Sequence, residues 1–218
     1  MDSLAHSFDR AAQDYERGRP GWPPEVAEVA GVSEAATVLD LAAGTGKLTR
    51  LLVQRFERVI AIEPLDGMRE LLQALVPEAR VAAGRAEAIP LPDASVDAVF
   101  VAEAFHWFDG ESALREIGRV LRPNGVLVLL WNRPAEPTRP RLPAEVVEEI
   151  NRLFDAAENP IQEYESGEWR EPFDRSPFGP LESASLARPA ARVRARQLDA
   201  DEYVRRWRAE VHSTRLQP

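Results

Sequence analysis

The chain has 218 residues, with 27 basic and 36 acidic side chains, a formal charge of −9 and a hydrophobic share of 44%. That length suits one α/β domain with a substantial core, and the negative charge argues against nucleic acid or an anionic membrane as a non-specific partner. Cysteine is absent, which excludes disulfides, thiolate metal sites and cysteine nucleophiles, and His6, His106 and His212 are too scattered for a metal-ligand cluster.

From the N-terminus, Met1 to Leu4 lack the basic and apolar regions of a secretory leader, and no apolar run approaches the roughly 18 residues a membrane span needs. The cytoplasm is the expected compartment. Residues 1–20 predict a polar helical arm with Phe8, Ala11, Ala12 and Tyr15 on one face, ended by Gly18 to Pro20. Pro23-Pro24 opens a second helix through Val26, Val29 and Ala30. Val38 to Leu41 then predict a strand running into the small-residue turn Ala42-Ala43-Gly44-Thr45-Gly46. A helix follows with Leu48, Leu51, Leu52 and Phe56 on one face. Glycines stand where the backbone must approach a ligand, and the turn amides and helix N-terminus offer donors and positive potential.

The turn discriminates between ligands. A dinucleotide turn needs G-x-G-x-x-G/A, whereas Gly46 is followed three positions on by Thr49; a phosphate loop needs Ser or Thr after Lys47, where Leu48 stands. Asp40 near the strand end repels pyrophosphate and suits a cation. S-adenosylmethionine (SAM), carrying a sulfonium and an ammonium, is therefore favoured over NAD; the plain alternative is a βα turn in which Asp40 only caps an amide. Arg58 to Ile62 form a second strand ending in Glu63, which can accept both ribose hydroxyls or simply be solvated. Asp66 starts a helix carrying Met68, Leu71, Leu72 and Leu75, in which Met68 touches adenine or joins the core.

A short strand at Arg80 to Ala82 leads to Gly84-Arg85-Ala86-Glu87, then a proline loop, then a fourth strand at Val96 to Ala102. Glu103 to Asp109 occupy the carboxyl end of the sheet near the chain reversal, where doubly wound folds bind ligands. His106, between Phe105 and Trp107, reads as general base or substrate clamp, or as a histidine that only bonds backbone. Asp109 caps a helix with Ala113, Leu114, Ile117, Val120 and Leu121 inward; Pro123 to Gly125 turn; Val126 to Trp131 make a buried fifth strand. A linker over 132–142 precedes a helix with Val146, Val147, Ile150, Leu153 and Phe154 on one side. An irregular loop over 158–180 carries Trp169 and Phe173. Leu181 to Leu186 and Ala191 to Leu198 are weaker strand candidates. Asp199-x-x-Glu202 is a capping box ahead of a helix with Tyr203, Val204 and Trp207.

In order and spacing, Val38 to Thr49, Ile60 to Pro64, Gly84 to Pro92 and Asp97 to Ala102 resemble the motifs of class I SAM-dependent methyltransferases, in the small-molecule branch called the type-11 family. Ala104 to Asp109 resemble the trans-aconitate-methyltransferase-like subgroup. The likeness spans about residues 8–132. It implies a Rossmann-like, doubly wound, mainly parallel sheet with helices on both faces. The arm would cover residues 1–31, the SAM-binding core 32–132, and a lid with C-terminal strands and helix 133–218, all in one domain. It implies methyl transfer to a small-molecule acceptor such as a carboxylate or hydroxyl compound, by a monomer or homodimer, with neither nucleic acid nor membrane as partner. Phe8-x-x-x-Ala12-x-x-Tyr15-x-x-x-Arg19-Pro20 resembles an N-terminal pattern whose tyrosine and arginine lie over the methionine end of SAM. The implied cofactor site comprises Tyr15, Arg19, Asp40, Ala42, Gly44, Gly46, Glu63, Pro64, Met68, Ala86, Glu87, Ala102 and Phe105, with His106 as catalytic residue. Arg19 and Arg133 are candidates to hold an anionic substrate or the SAM carboxylate. One departure stands out. The family closes its sheet with a seventh, antiparallel strand, and no apolar run before Pro218 supplies it, so either the sheet is one strand short, the sequence is truncated, or another chain covers the edge. A non-catalytic SAM-binding protein and an NAD-dependent oxidoreductase are the alternatives.

Overall fold

This computed structural model describes residues 12–19, 21–134, 167–187, 191–193, 203–205 and 207–217. Its centre follows from strand alternation. In β1 (Thr37–Leu41), β4 (Val96–Ala102) and β5 (Leu121–Pro134), successive side chains point to opposite faces, and both faces are apolar. Leu39, Leu41, Val99, Val101, Leu127 and Leu129 enter one core layer; Val38, Ala98, Phe100, Val126, Val128 and Leu130 enter the other. Helices cover each layer. The helix Gly110–Val120 buries Ala113, Leu114, Ile117 and Val120 against the first, and Thr49–Arg55 brings Leu52 to the second. We label the helices α1 (Ala12–Gly18), α2 (Thr49–Arg55), α3 (Asp66–Leu75) and α4 (Gly110–Val120). Asp109 caps α4, its side chain accepting from the Ser112 amide at 3.2 Å.

With β2 (Arg58–Ile62), β3 (Arg80–Ala82), β6 (Glu182–Ala187) and β9 (Trp207–Arg215), the main sheet has the order β3-β2-β1-β4-β5-β9-β6. β7 (Ala191–Val193) and β8 (Tyr203–Arg205) form a separate antiparallel pair. β1, β2, β3, β4 and β5 run parallel, and β9 pairs antiparallel with both β5 and β6. The order reverses between β1 and β4, so the chain leaves these two neighbours toward opposite sides and opens a crevice at their carboxyl ends.

The expectation of a missing last strand is overturned. β9 runs antiparallel beside β5 from Val126↔Arg215 to Pro134↔Trp207. It lacks an apolar run because its buried positions are partly polar: His212 and Thr214 are 5% and 4% exposed. Both are satisfied, His212 Nδ1 by the Ser183 hydroxyl at 2.7 Å and Thr214 Oγ1 by the Gly179 carbonyl at 2.7 Å. The helix expected after Asp199-x-x-Glu202 is corrected likewise, since Tyr203–Arg205 and Trp207–Arg215 are strands. The second predicted helix is a short 3-10 turn, Pro24–Glu28. Of the loop expected at 158–180, Glu168–Arg175 is a 3-10 segment whose Trp169 and Phe173 are buried in the first core layer. The helix expected from Val146 to Phe154, together with Phe8 and Ala11, lies outside the described residues. No helix among the described residues is long and apolar enough to cross a membrane.

Candidate cofactor site

The crevice between β1 and β4 is an open cleft. Its floor is the turn after β1, its far wall is Ala102, Glu103 and Asn132, and its roof is Tyr15, Arg19 and Trp22. The turn takes this shape through three left-handed residues in five, Ala42 (φ 58°), Gly44 (φ 57°) and Gly46 (φ 85°). Gly44 and Gly46 do different work. Nothing lies within 4 Å of where a side chain on Gly44 would begin, so that glycine leaves backbone open to the cleft, while a side chain on Gly46 would meet Leu72 and Val76. Gly46 is the close-packing glycine that lets the turn settle against α3.

Asp40 shares the strand face of Val38, so it points toward α2 and not toward the Leu39 layer. It is 1% exposed, and its Oδ2 accepts from the Thr49 hydroxyl at 2.6 Å. Its Oδ1 is buried without a hydrogen-bond partner. Burial pushes the carboxyl up to about 7, against the Thr49 hydroxyl bond and with help from the nearby Glu63 charge. An orphaned carboxylate oxygen in a cleft wall is a site that a cationic group completes.

Glu63, 4% exposed at the end of β2, is fixed by two amides: Gly44 N donates to Oε2 at 2.8 Å and Leu65 N to Oε1 at 2.9 Å. These two amides fix the orientation of the carboxylate at the edge of the turn. Glu103, just past β4, is a non-glycine residue at φ 56°. Its Oε1 accepts from the Asn132 amide at 2.6 Å and its Oε2 lies 3.9 Å from Arg19. Arg19 in turn stacks over Tyr15, 5.3 Å from the ring centroid. Burial raises the Tyr15 hydroxyl above its ordinary range, opposed by Arg19 and reinforced by Glu103.

Tyr15, Arg19, Asp40, Ala42, Gly44 and Ala102 thus meet around one cleft. Glu63 is tied to its floor through Gly44. The other expected residues stand apart. Met68 is buried at 3% exposure, Ala86 belongs to the first core layer, and Pro64 is exposed. Glu87 accepts from the Asp109 amide at 3.1 Å. Phe105 packs with Phe108, Trp169 and Phe173. The Arg133 side chain lies outside the described residues.

His106 sits in a 3-10 turn, Phe105–Trp107, beside the cleft wall. The indole N–H of Trp131 donates to its Nδ1 at 3.2 Å. An indole nitrogen can only donate, so the ring proton lies on Nε2, which is buried without a partner. Burial, then the Arg19 charge, push its pKa down to about 4. The ring is neutral, with its one N–H buried at Nε2.

Sequence reasoning did not single out Trp22, Thr45, Lys47 or Asn132 as site residues, and it placed Glu103 at the ligand end of the sheet without giving it a role. Thr45 and Lys47 carried a signal, lying inside the glycine turn itself. Trp22, Glu103 and Asn132 come from separate elements and meet only through the sheet order.

Fold and cleft together define a doubly wound α/β protein with a polar-lined cleft at its switch point and an acid where phosphate-binding turns have none. Comparison with known proteins makes the class specific. The Methyltransf_11 family, a methyltransferase domain, matches residues 39–129. An uncharacterized methyltransferase of Mycobacterium tuberculosis is 51% identical over 129 residues, 59% of this chain and 53% of that protein. An uncharacterized methyltransferase-like protein of Schizosaccharomyces pombe is 35% identical over 180 residues, 80% of this chain and 68% of that one. The YcgJ protein of Bacillus subtilis shares the fold, with a TM-score of 0.59 at 20% identity over 88% of this chain and 96% of its own. The chain belongs to the class I SAM-dependent methyltransferases. It spans about half the length of the mycobacterial relatives it matches.

Proposed function

We propose that this chain transfers the methyl group of SAM to a small-molecule acceptor. The observation that carries the reading is Asp40, whose buried Oδ1 has no hydrogen-bond partner in the wall of a cleft at the β1/β4 switch point. That donor set fits a ligand bearing positive charge and hydroxyls. Asp40 would hold the cationic end, Glu63 and the Gly44 backbone the ribose, and Tyr15 with Arg19 the methionine carboxylate. Bound SAM supplies a methyl group already activated by its sulfonium. The chain's own task is therefore to position the acceptor and limit water, and Tyr15, Arg19 and Trp22 stand over the cleft where they would do so.

We assign His106 as a clamp and not as a base. Its Nε2–H can donate to an acceptor oxygen, but its Nδ1 is engaged by Trp131 and its neutral ring has little basicity. A pocket without a strong base favours acceptors that arrive ionised. We place small carboxylic acids first, in keeping with the resemblance of Ala104 to Asp109 to the trans-aconitate-type subgroup, and hydroxyl compounds second. We propose action as a monomer or homodimer in the cytoplasm; the formal charge of −9 argues against nucleic acid as a non-specific partner. The test is calorimetric titration with S-adenosylhomocysteine (SAH) beside NADH. Saturable binding of SAH alone, followed by turnover on a carboxylic-acid panel, supports the reading. Binding of NADH alone favours an oxidoreductase, and SAH binding with no turnover on any acceptor favours a non-catalytic binder.

A further inference from the structure

The roof of the cleft is tied to its floor through Glu16, a side chain that does not itself line the cleft. Glu16 stands on α1 beside Tyr15, turned toward the glycine-rich turn. Its Oε2 accepts from the Thr45 hydroxyl at 2.5 Å and its Oε1 from Arg50 Nη2 at 2.6 Å. Lys47 Nζ lies 3.3 Å from the same Oε1 and donates to the Glu16 backbone carbonyl at 2.6 Å. One carboxylate thus gathers a hydroxyl, an ammonium and a guanidinium from the turn and from the first turn of α2. Arg19, just past the end of α1, reaches across to Glu103 on the opposite wall.

The arrangement is asymmetric in burial. Thr45 is 1% exposed, the Glu16 and Lys47 side chains are 20% and 15% exposed, and Arg50 is 34% exposed. A seven-residue helix has little stability of its own, so α1 keeps its place mainly through such tertiary contacts. Charge-assisted bonds of this kind are stronger than neutral ones yet remain open to water and salt at the Arg50 side. The carboxyl of Glu16 is held below its ordinary range by the Thr45 and Arg50 bonds and the Lys47 and Arg50 charges, in spite of its burial.

We propose that Glu16 is the latch of an arm that opens to exchange the cofactor, and that its bonds to Thr45, Lys47 and Arg50 set how long SAM or SAH stays bound. This rests on the reading of the cleft as a SAM site. With the latch closed, Tyr15, Arg19 and Trp22 roof the cleft; with it open, α1 loses its anchor to the floor and the roof lifts. Glu16 is thereby a positioning residue, acting through the arm and not through contact with the reacting atoms.

Arg50 separates the latch from the site, because it bonds Glu16 but does not line the cleft. The experiment measures SAH release by stopped flow, and hydrogen exchange of residues 12–18, in the unaltered chain, Glu16→Gln, Arg50→Gln and the double variant. Release is expected to speed up about five- to tenfold in Arg50→Gln and more in Glu16→Gln, with the double variant no faster than Glu16→Gln alone. Added salt should speed release from the unaltered chain and leave Glu16→Gln nearly unchanged. Arm amides should exchange faster in both variants even without ligand, while the melting temperature stays within a few degrees. Release rates within twofold of the unaltered chain, or additive effects in the double variant, overturn the proposal. Failure of the unaltered chain to bind SAH would instead overturn the cofactor reading, and the ligand-free exchange of the arm would then still decide whether Glu16 fastens it.

Discussion

Asp40 shows how one residue couples stability to ligand. In the unfolded chain its carboxyl titrates near ~3.9, whereas burial sets it at about 7 in the fold. Between these values the native state keeps a proton that the unfolded state has lost. Stability from this group therefore falls as pH rises from about 4 to 7, and the cost above 7 is on the order of 4 kcal/mol. Asp40→Asn should remove that slope, leaving the variant more stable than the parent at pH 8 in urea unfolding, while SAM affinity drops tenfold or more. A variant with the parent's pH dependence would show that burial of Asp40 is not its source. His106 gives the complementary case, with a ring already neutral above about pH 5. Turnover should show no limb near the ordinary histidine pKa. His106→Ala should lose about ten- to a hundredfold in kcat, and His106→Gln, which keeps a donor, should recover part of it. A limb near pH 6.5 that vanishes in His106→Gln would restore the base assignment.

At the level of elements, the two glycines of the turn should part company. Gly46→Ala meets Leu72 and Val76 in addition to its left-handed backbone and should cost about 2–3 kcal/mol in unfolding. Gly44→Ala has open space before it and should cost only about 1 kcal/mol, yet it narrows the cleft and should weaken SAH binding more than Gly46→Ala does. Equal effects on stability would contradict the packing role given to Gly46. The β1 turn was legible in sequence because small residues, a strand-end acid and a helical apolar face are local patterns. Glu16 was not, since an acid on a short helix looks like any solvated surface charge until Thr45, Lys47 and Arg50 are folded beneath it. Glu103 hid for a related reason: its positive φ and its hold on the Asn132 amide depend on β5 lying beside β4. β9 was misread because the local capping box Asp199-x-x-Glu202 argued for helix. His212 and Thr214 also broke the apolar alternation of a strand whose buried polar groups are satisfied only by Ser183 and Gly179. Local propensity lost to long-range pairing there.

For the molecule as a whole, the question is whether the cleft stands without the far side of the sheet. Every described residue lining it precedes β6, which would suggest an autonomous cofactor half. The packing argues otherwise. β5 is central, with Val126 to Trp131 all buried, and one of its flanks is covered by β9, to which β6 is paired in turn. Trp131, whose indole orients His106, also packs on Trp169 at 4.6 Å and on His212 of β9 at 5.6 Å between ring centroids. Removing β9 strands the β5 backbone bonds and uncovers apolar side chains each worth about 1.5–3 kcal/mol when buried, against a total stability of about 5–15 kcal/mol. A chain ended at Arg206 should therefore lose cooperative thermal unfolding, associate through the bared β5 edge, and fail to bind SAH, although the described cleft residues remain. Circular dichroism, size exclusion and calorimetry on that chain test the claim together. A monodisperse product that binds SAH as the full chain does would show that β1 to β5 fold independently, and that β9 and β6 serve the acceptor side alone.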